Sequence, residues 1–237
     1  MPIDLKDSWE IFHNEFVVNR GYTRVLSGLQ STLIIAVLGL IIGIVLGTAL
    51  AVTKVIPQKS KSAKVFSHLT DIYVGLFRGT PMVVQLLVMY YVLFPLIGLS
   101  KIPALTVAIM AFGMNSGAYV CEIMRSGILS VDKGQMEAGR ALGMSYGRTM
   151  LKVVIPQAVK NILPTLGNEF ISLVKETSVV SFITVIDLTK SFQQIGSATY
   201  EYFIPYIVLA LCYLVIVYII TLIVKLIERR MRASDRR

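Results

Sequence analysis

Apolar and polar positions along this chain fall into long blocks rather than alternating at strand spacing. Twenty-nine residues run without a charge between Arg24 and Lys54, 22 between Arg78 and Lys101, 20 between Lys101 and Glu122, and 21 from Ile204 to Val224. A bilayer core needs about 20 apolar residues in a helix, so each block predicts one crossing. A mixed stretch from Val65, carrying Asp71, leads into the second block. Residues 164–187 read as a further span, although Glu169, Lys175 and Glu176 interrupt it. The pattern predicts an all-α integral membrane protein with five transmembrane helices.

Composition sharpens this reading. Of the 237 residues, 55% are hydrophobic and 16% charged, against about 25% charged in a soluble domain. That balance excludes both a water-soluble globule and a disordered chain. The two cysteines, Cys121 and Cys212, fall in predicted spans and read as packing residues, and His13 and His68 form no metal spacing.

The formal net charge is +9, from 23 Lys and Arg against 14 Asp and Glu. Short loops rich in Lys and Arg stay on the cytoplasmic side. With five spans and the amino terminus outside, the inside segments collect sixteen cations: four from Lys54 to Lys64 (Lys59 included), six from Arg125 to Lys160, and six from Lys225 to Arg237 (Arg232 and Arg236 included). The outside keeps five, Lys6, Arg20, Arg24, Lys101 and Lys190. Omitting the span over 164–187 would put the basic tail or the basic central loop on the wrong side.

Asp4, Asp7, Glu10 and Glu15, with no apolar core among them, argue against a signal peptide at the amino terminus. Trp9, Phe12 and Phe16 recur at helical spacing, which suits an amphipathic helix on the outer interface or a frayed terminus. In the first span Gly39, Gly43, Gly47 and Ala51 recur every fourth position, and Gly113 and Gly117 repeat the device in the third. Such small-residue faces let helix backbones approach closely.

Between the third and fourth spans, residues of about 130–160 are too polar for lipid and too patterned for a linker. Asp132-Lys-Gly-Gln135 has capping-box spacing and opens a helix that Gly143 ends in a left-handed conformation. Ser145 caps a second helix from Tyr146 to about Val154, halted near Pro156. The product is a compact knob, either a docking element or an interfacial helix pair that anchors the bundle.

Here the chain resembles the permeases of ABC transporters. Glu137-Ala138-Gly139, then Gly143, then Val153, Ile155 and Pro156, matches their EAA motif, with Gly139, Val153 and Ile155 as mild departures. Phe77-Arg-Gly-Thr-Pro81 with Val84-Gln85, Glu122-Ile-Met-Arg125-Ser-Gly127, Gly167-Asn-Glu-Phe170, Lys175-Glu-Thr-Ser178 and Glu228-Arg-Arg230 match the polar amino-acid branch. The resemblance covers about residues 22–232. It implies a type I importer permease fold, with a membrane domain over 22–228, an extracytoplasmic segment over 1–21 and a basic cytoplasmic tail over 229–237. It further implies that Glu137, Ala138, Gly139, Gly143 and Pro156 form a cytoplasmic coupling helix that docks on an ABC ATPase dimer. An extracytoplasmic amino-acid-binding protein and a second permease protomer complete the set, a homodimer being favoured. The chain carries no phosphate-cradling Gly-x-x-x-x-Gly-Lys-[Ser/Thr] sequence, so ATP and Mg are expected on the ATPase, and no cofactor, metal or catalytic residue here.

Ionisable groups within spans are costly and mark functional sites. On a helical wheel Glu169 and Glu176 lie about 20° apart, with Ser172 about 60° from Glu169; Thr165 and Asp187 extend the stripe and Lys175 points elsewhere. The stripe is either a salt-bridged subunit contact or a substrate site. As a site, Glu169 would meet the ammonium of an amino acid, a role its Asn-Glu-Phe phrase shares with the branch. Thr80, Asn115 and Ser172 would line it. Arg78 would either meet the substrate carboxylate or pair with Asp71, and Pro81 would break the helix that carries it. A gradient-driven secondary transporter or channel explains the intramembrane carboxylates but not the EAA knob, and a membrane-embedded enzyme would need a constellation that is not present.

Overall fold

The computed structural model describes residues 5–56 and 60–233, and every regular element among them is helical. Asp4, Lys59, Arg236 and Arg237, which enter the sequence argument, lie outside the described residues. The helices are α1 Leu5–His13, α2 Gly21–Val55, α3 Lys61–Gly79, α4 Met82–Leu96, α5 Ala104–Leu129, α6 Lys133–Ala141, α7 Tyr146–Thr149, α8 Ile155–Glu176, α9 Leu188–Thr199 and α10 Phe203–Ala233.

Three of these, α2, α5 and α10, are long and apolar enough to cross a bilayer. The pair α3 and α4 makes a fourth as one broken span, bent by 108°. The break falls at Thr80–Pro81, as the proline predicts. The uncharged block from 79 to 100 is therefore only the second arm of this element. The span expected over 164–187 falls on α8 and the 3-10 turn Thr177–Ile183 that follows it. At 22 residues α8 is long enough to cross, about 33 Å, but Glu169, Lys175 and Glu176 dilute its apolar content.

Prolines do not stop the chain where a widened turn receives them. The second knob helix was expected to halt near Pro156. Instead α7 passes through a π turn, Met150–Val154, directly into α8, and Pro156 sits in the first turn of α8. A proline at that point removes a helical N–H donor and crowds the preceding turn, and the widened π turn before it accommodates the ring.

The described helices form two compact units. One comprises Met1–Gly39, Pro81–Phe112 and Ser172–Ile219. One core cluster in it is Phe12, Val25, Leu188, Phe192 and Ile195. The amino-terminal helix is thus ordered by Phe12, while Trp9 stays exposed. Asp187 does not extend a polar face of α8: it is fully buried and caps α9, accepting from Thr189 N at 3.0 Å and Lys190 N at 2.9 Å. The 3-10 turn between them ends the α8 periodicity, so the wheel does not reach Asp187. Thr32 Oγ1 accepts from Leu188 N at 3.2 Å, and Ser191 Oγ donates to the Arg24 carbonyl at 3.0 Å, tying α9 to α2.

The other unit comprises Leu40–Thr80, Gly113–Ile171 and Ile220–Arg237. Val120, Ala158, Ile162 and Leu166 form one core cluster in it, with Ile44 and Ile123 packed on them. The glycine face of α2 lies against α5: a Cβ at Gly47 would come within 2.7 Å of the Gly117 carbonyl oxygen. α2 also meets α3 through polar groups, Lys54 Nζ bonding Asp71 and Ser67, and the Thr53 and Thr70 hydroxyls meeting at 2.9 Å. Of the apolar stretches, that of α10 is only 6% buried and that of α5 61%, so α10 presents a surface for lipid or protein and α5 an interior one.

Filling the α2–α5 seam should cost about 1–3 kcal/mol, as overpacking does. Gly47→Leu is expected to lower the thermal unfolding midpoint of the detergent-purified protein. Gly75→Ala, where no atom would lie within 4 Å of the new Cβ, is expected to leave it unchanged.

Candidate functional site

Four of the five candidate substrate residues belong to the second unit, where the last turns of α3 lean on α5. Tyr73 donates its hydroxyl to the Met114 carbonyl. The Arg78 guanidinium sits 5.3 Å from the centroid of the Tyr119 ring, a cation–π arrangement. Asp71 pairs with Lys54 rather than with Arg78, so of the two roles foreseen for Arg78 the ion pair with Asp71 is not formed.

The helix break explains two further side chains. In an α-helix the carbonyl of one residue takes the N–H four positions on. For Phe77 that position is Pro81, which has none. Asn115 Nδ2 donates to the Phe77 carbonyl at 3.4 Å, and Thr80 Oγ1 donates to the Leu76 carbonyl at 2.8 Å. Asn115 is buried and Thr80 exposed, and both satisfy the open end of α3.

Glu169 projects from α8 toward α5 and is half-buried. Ser116 Oγ donates to its Oε1 at 2.9 Å. Neighbouring positions of α5, Asn115 and Ser116, thus reach α3 and α8 respectively. Ser116 was not among the sequence candidates, although it lies inside the Gly113–Gly117 run, where the glycines drew notice and the hydroxyl between them did not. Ser172, the fifth candidate, follows Glu169 by three residues on α8 and is half-buried within the first unit. Thr165, Lys175 and Glu176 are exposed.

The knob is built from local signals. Asp132 Oδ1 accepts from Gly134 N and caps α6, and Ser145 Oγ accepts from Arg148 N and caps α7. The capping box is half formed, because the Gln135 side chain turns away and accepts from Gln157 Nε2 at 3.2 Å. Gly143 has φ +80. Its N–H reaches the Arg140 carbonyl at 3.0 Å and Met144 N reaches the Gly139 carbonyl at 3.1 Å, the Schellman pairing that satisfies a helix end. Gly139 is buried against Thr149, where a Cβ would come within 2.4 Å of Cγ2. Glu137, Ala138 and Pro156 are exposed, and Leu142 is 84% exposed at the elbow. Asn161 Nδ2 donates to Ser130 Oγ at 2.9 Å, and the Tyr146 hydroxyl reaches the Val55 carbonyl at 3.5 Å, so the knob is tied to α8 and α2. Beside it, Ser130, Asp132, Gln157, Lys160 and Asn161 line a polar cleft of about 530 Å³.

Residues 39–233 match the family described as "Binding-protein-dependent transport system inner membrane component". The chain belongs to this family. The arginine transport system permease protein ArtQ of Bacillus subtilis (strain 168) is 42% identical to this permease over 211 residues, covering 89% of this chain and 94% of ArtQ. A putative glutamine transport system permease protein GlnP of Rickettsia bellii (strain RML369-C) is 40% identical over 210 residues, covering 89% and 94%. Among solved structures, a crystal structure of an amino acid ABC transporter with histidines superposes with a TM-score of 0.82 at 40% identity, covering 97% of this permease and all of that chain. The MetNI methionine ABC transporter in inward-facing conformations, at 22% identity, gives 0.69 over 92% of this permease and 97% of that chain, a likeness of fold. The permease has the all-α type I importer fold.

Removing the donor at 115 takes one hydrogen bond from the Phe77 carbonyl, at a cost of about 0.5–1.5 kcal/mol. Asn115→Leu is expected to lower the thermal midpoint accordingly, and faster amide exchange should appear first in the last turns of α3.

Proposed function

We propose that this chain is the transmembrane permease subunit of an ATP-driven importer that carries polar amino acids delivered by an extracytoplasmic binding protein. The observation that carries the reading is Glu169, an acidic side chain on a bundle helix held at 2.9 Å by a buried serine. A carboxylate kept at that depth suits a ligand that brings a positive charge of its own, as the ammonium of an amino acid does. The printed functions of ArtQ and GlnP, arginine and glutamine transport, support the same substrate class. Thr80, Asn115, Ser172 and Arg78 are proposed as groups around the path, the first two with their bond to α3 as a second duty.

Coupling runs through the knob. Glu137, Ala138, Gly139, Gly143 and Pro156 form the face and elbow that dock on a cytoplasmic ATPase dimer, which binds ATP and Mg. The ties of Gln135 to Gln157 and of Ser130 to Asn161 let a movement of the knob pass to α8, the helix that carries Glu169. The basic segments around Lys54–Lys64, Arg125–Lys160 and Lys225–Arg237 support an amino terminus outside and a carboxyl terminus inside a bacterial cell membrane. Two copies of the chain are favoured over a mixed pair, since each holds its own Glu169.

Two substitutions separate the roles in proteoliposomes containing the permease, its ATPase and the binding protein. Glu169→Gln is expected to cut amino-acid uptake at least tenfold while ATPase stimulation by loaded binding protein persists; unchanged uptake kinetics would sink the site. Gly143→Val puts a β-branched residue at positive φ, which is strained. It should leave membrane insertion intact and reduce uptake per ATP hydrolysed, and a wild-type ratio would refute the coupling role.

A further inference from the structure

The geometry points to Ser116 as the positioning residue for Glu169, with Gly43 of α2 as the space that admits it. This inference rests on the reading of Glu169 as the group that meets a substrate ammonium. Ser116 is fully buried, and its hydroxyl donates to Glu169 Oε1 at 2.9 Å. A serine in a membrane helix has its own preceding turn of carbonyls within reach, yet this one spans from α5 to α8. It can do so because α2 presses on it from the other side. A Cβ at Gly43 would stand 2.6 Å from Ser116 Oγ and 2.7 Å from Ser116 Cβ, so no larger residue at 43 leaves Ser116 in place. The small-residue face of α2 thereby sets the seat of the serine, and the serine sets the direction of the carboxylate. A carboxylate in a low-dielectric site needs a donor to hold one orientation, and a pre-oriented acceptor binds a cation without having to be ordered first.

The test is equilibrium binding of radiolabelled arginine and glutamine to the purified permease–ATPase complex, without binding protein, for wild type, Ser116→Ala, Glu169→Gln and the double variant. Thermal midpoints are measured on the same preparations. Ser116→Ala removes one oxygen at a site where alanine packs easily, and it is expected to weaken binding roughly tenfold, the scale of a hydrogen bond to a charged group. In the Glu169→Gln background the same change should add less than twofold, because Ser116 acts through the carboxylate. Equal weakening in both backgrounds would assign Ser116 a general structural role and overturn the inference. So would wild-type affinity in Ser116→Ala when Glu169→Gln alone binds poorly. If Glu169→Gln binds as wild type does, or wild type shows no saturable binding of either amino acid, the substrate-site reading itself fails, and the inference with it.

Discussion

Helices dissolved in lipid gain little from burying apolar surface against each other, since the lipid tails are equally apolar, and their association rests on close contact and hydrogen bonds. The approach of α2 to α5 is therefore the constraint on which the second unit depends. At Gly47 no side chain separates the helix from the Gly117 carbonyl. One turn earlier, Gly43 leaves room for the buried Ser116 hydroxyl. With α2 and α5 at this distance, α5 can present polar atoms to α3 on one side and to α8 on the other. A wider separation would leave those atoms facing voids or lipid, where each would carry a desolvation penalty.

The same unit pairs some of its charges across and along helices and gives Glu169 a hydroxyl donor. Lys54 and Asp71 close a polar ladder that includes Ser67, Thr53 and Thr70. Arg125 and Glu122 bridge one turn of α5 at 3.0 Å. Glu169 is treated differently, with a neutral serine as donor. A hydroxyl adds a directed hydrogen bond without adding a charge of its own.

What could be read from the residues is what is decided within a turn or two of chain. Asp132 and Ser145 cap their helices, Gly143 takes the left-handed conformation and Pro81 breaks the second span, because capping, positive φ and a missing N–H are local properties. The long apolar runs mark the crossing helices for the same reason. Pairings across helices were not legible. Asp71 faced two cations in principle, and only the packing of α3 on α2 selects Lys54. Pro156 looked like a stop because the π turn that accommodates it has no sequence signature of its own. The wheel placed Asp187 on the stripe of Glu169 by assuming an unbroken helix, which the 3-10 turn from Thr177 to Ile183 interrupts. Ser116 went unnoticed because a serine between two glycines reads as one more small residue until its partner is known.

The break at Pro81 has a bearing on how such a chain can diverge. Proline deprives the Phe77 carbonyl of its helical partner, and Asn115 takes that place from another helix, while Thr80 closes the carbonyl before it. Over generations, positions 80, 81 and 115 are expected to change together, since a lineage that loses the proline restores a helical donor to the Phe77 carbonyl. Because Thr80 and Asn115 are also proposed as groups around the path, a change of cargo that touches them would have to keep this helix end closed.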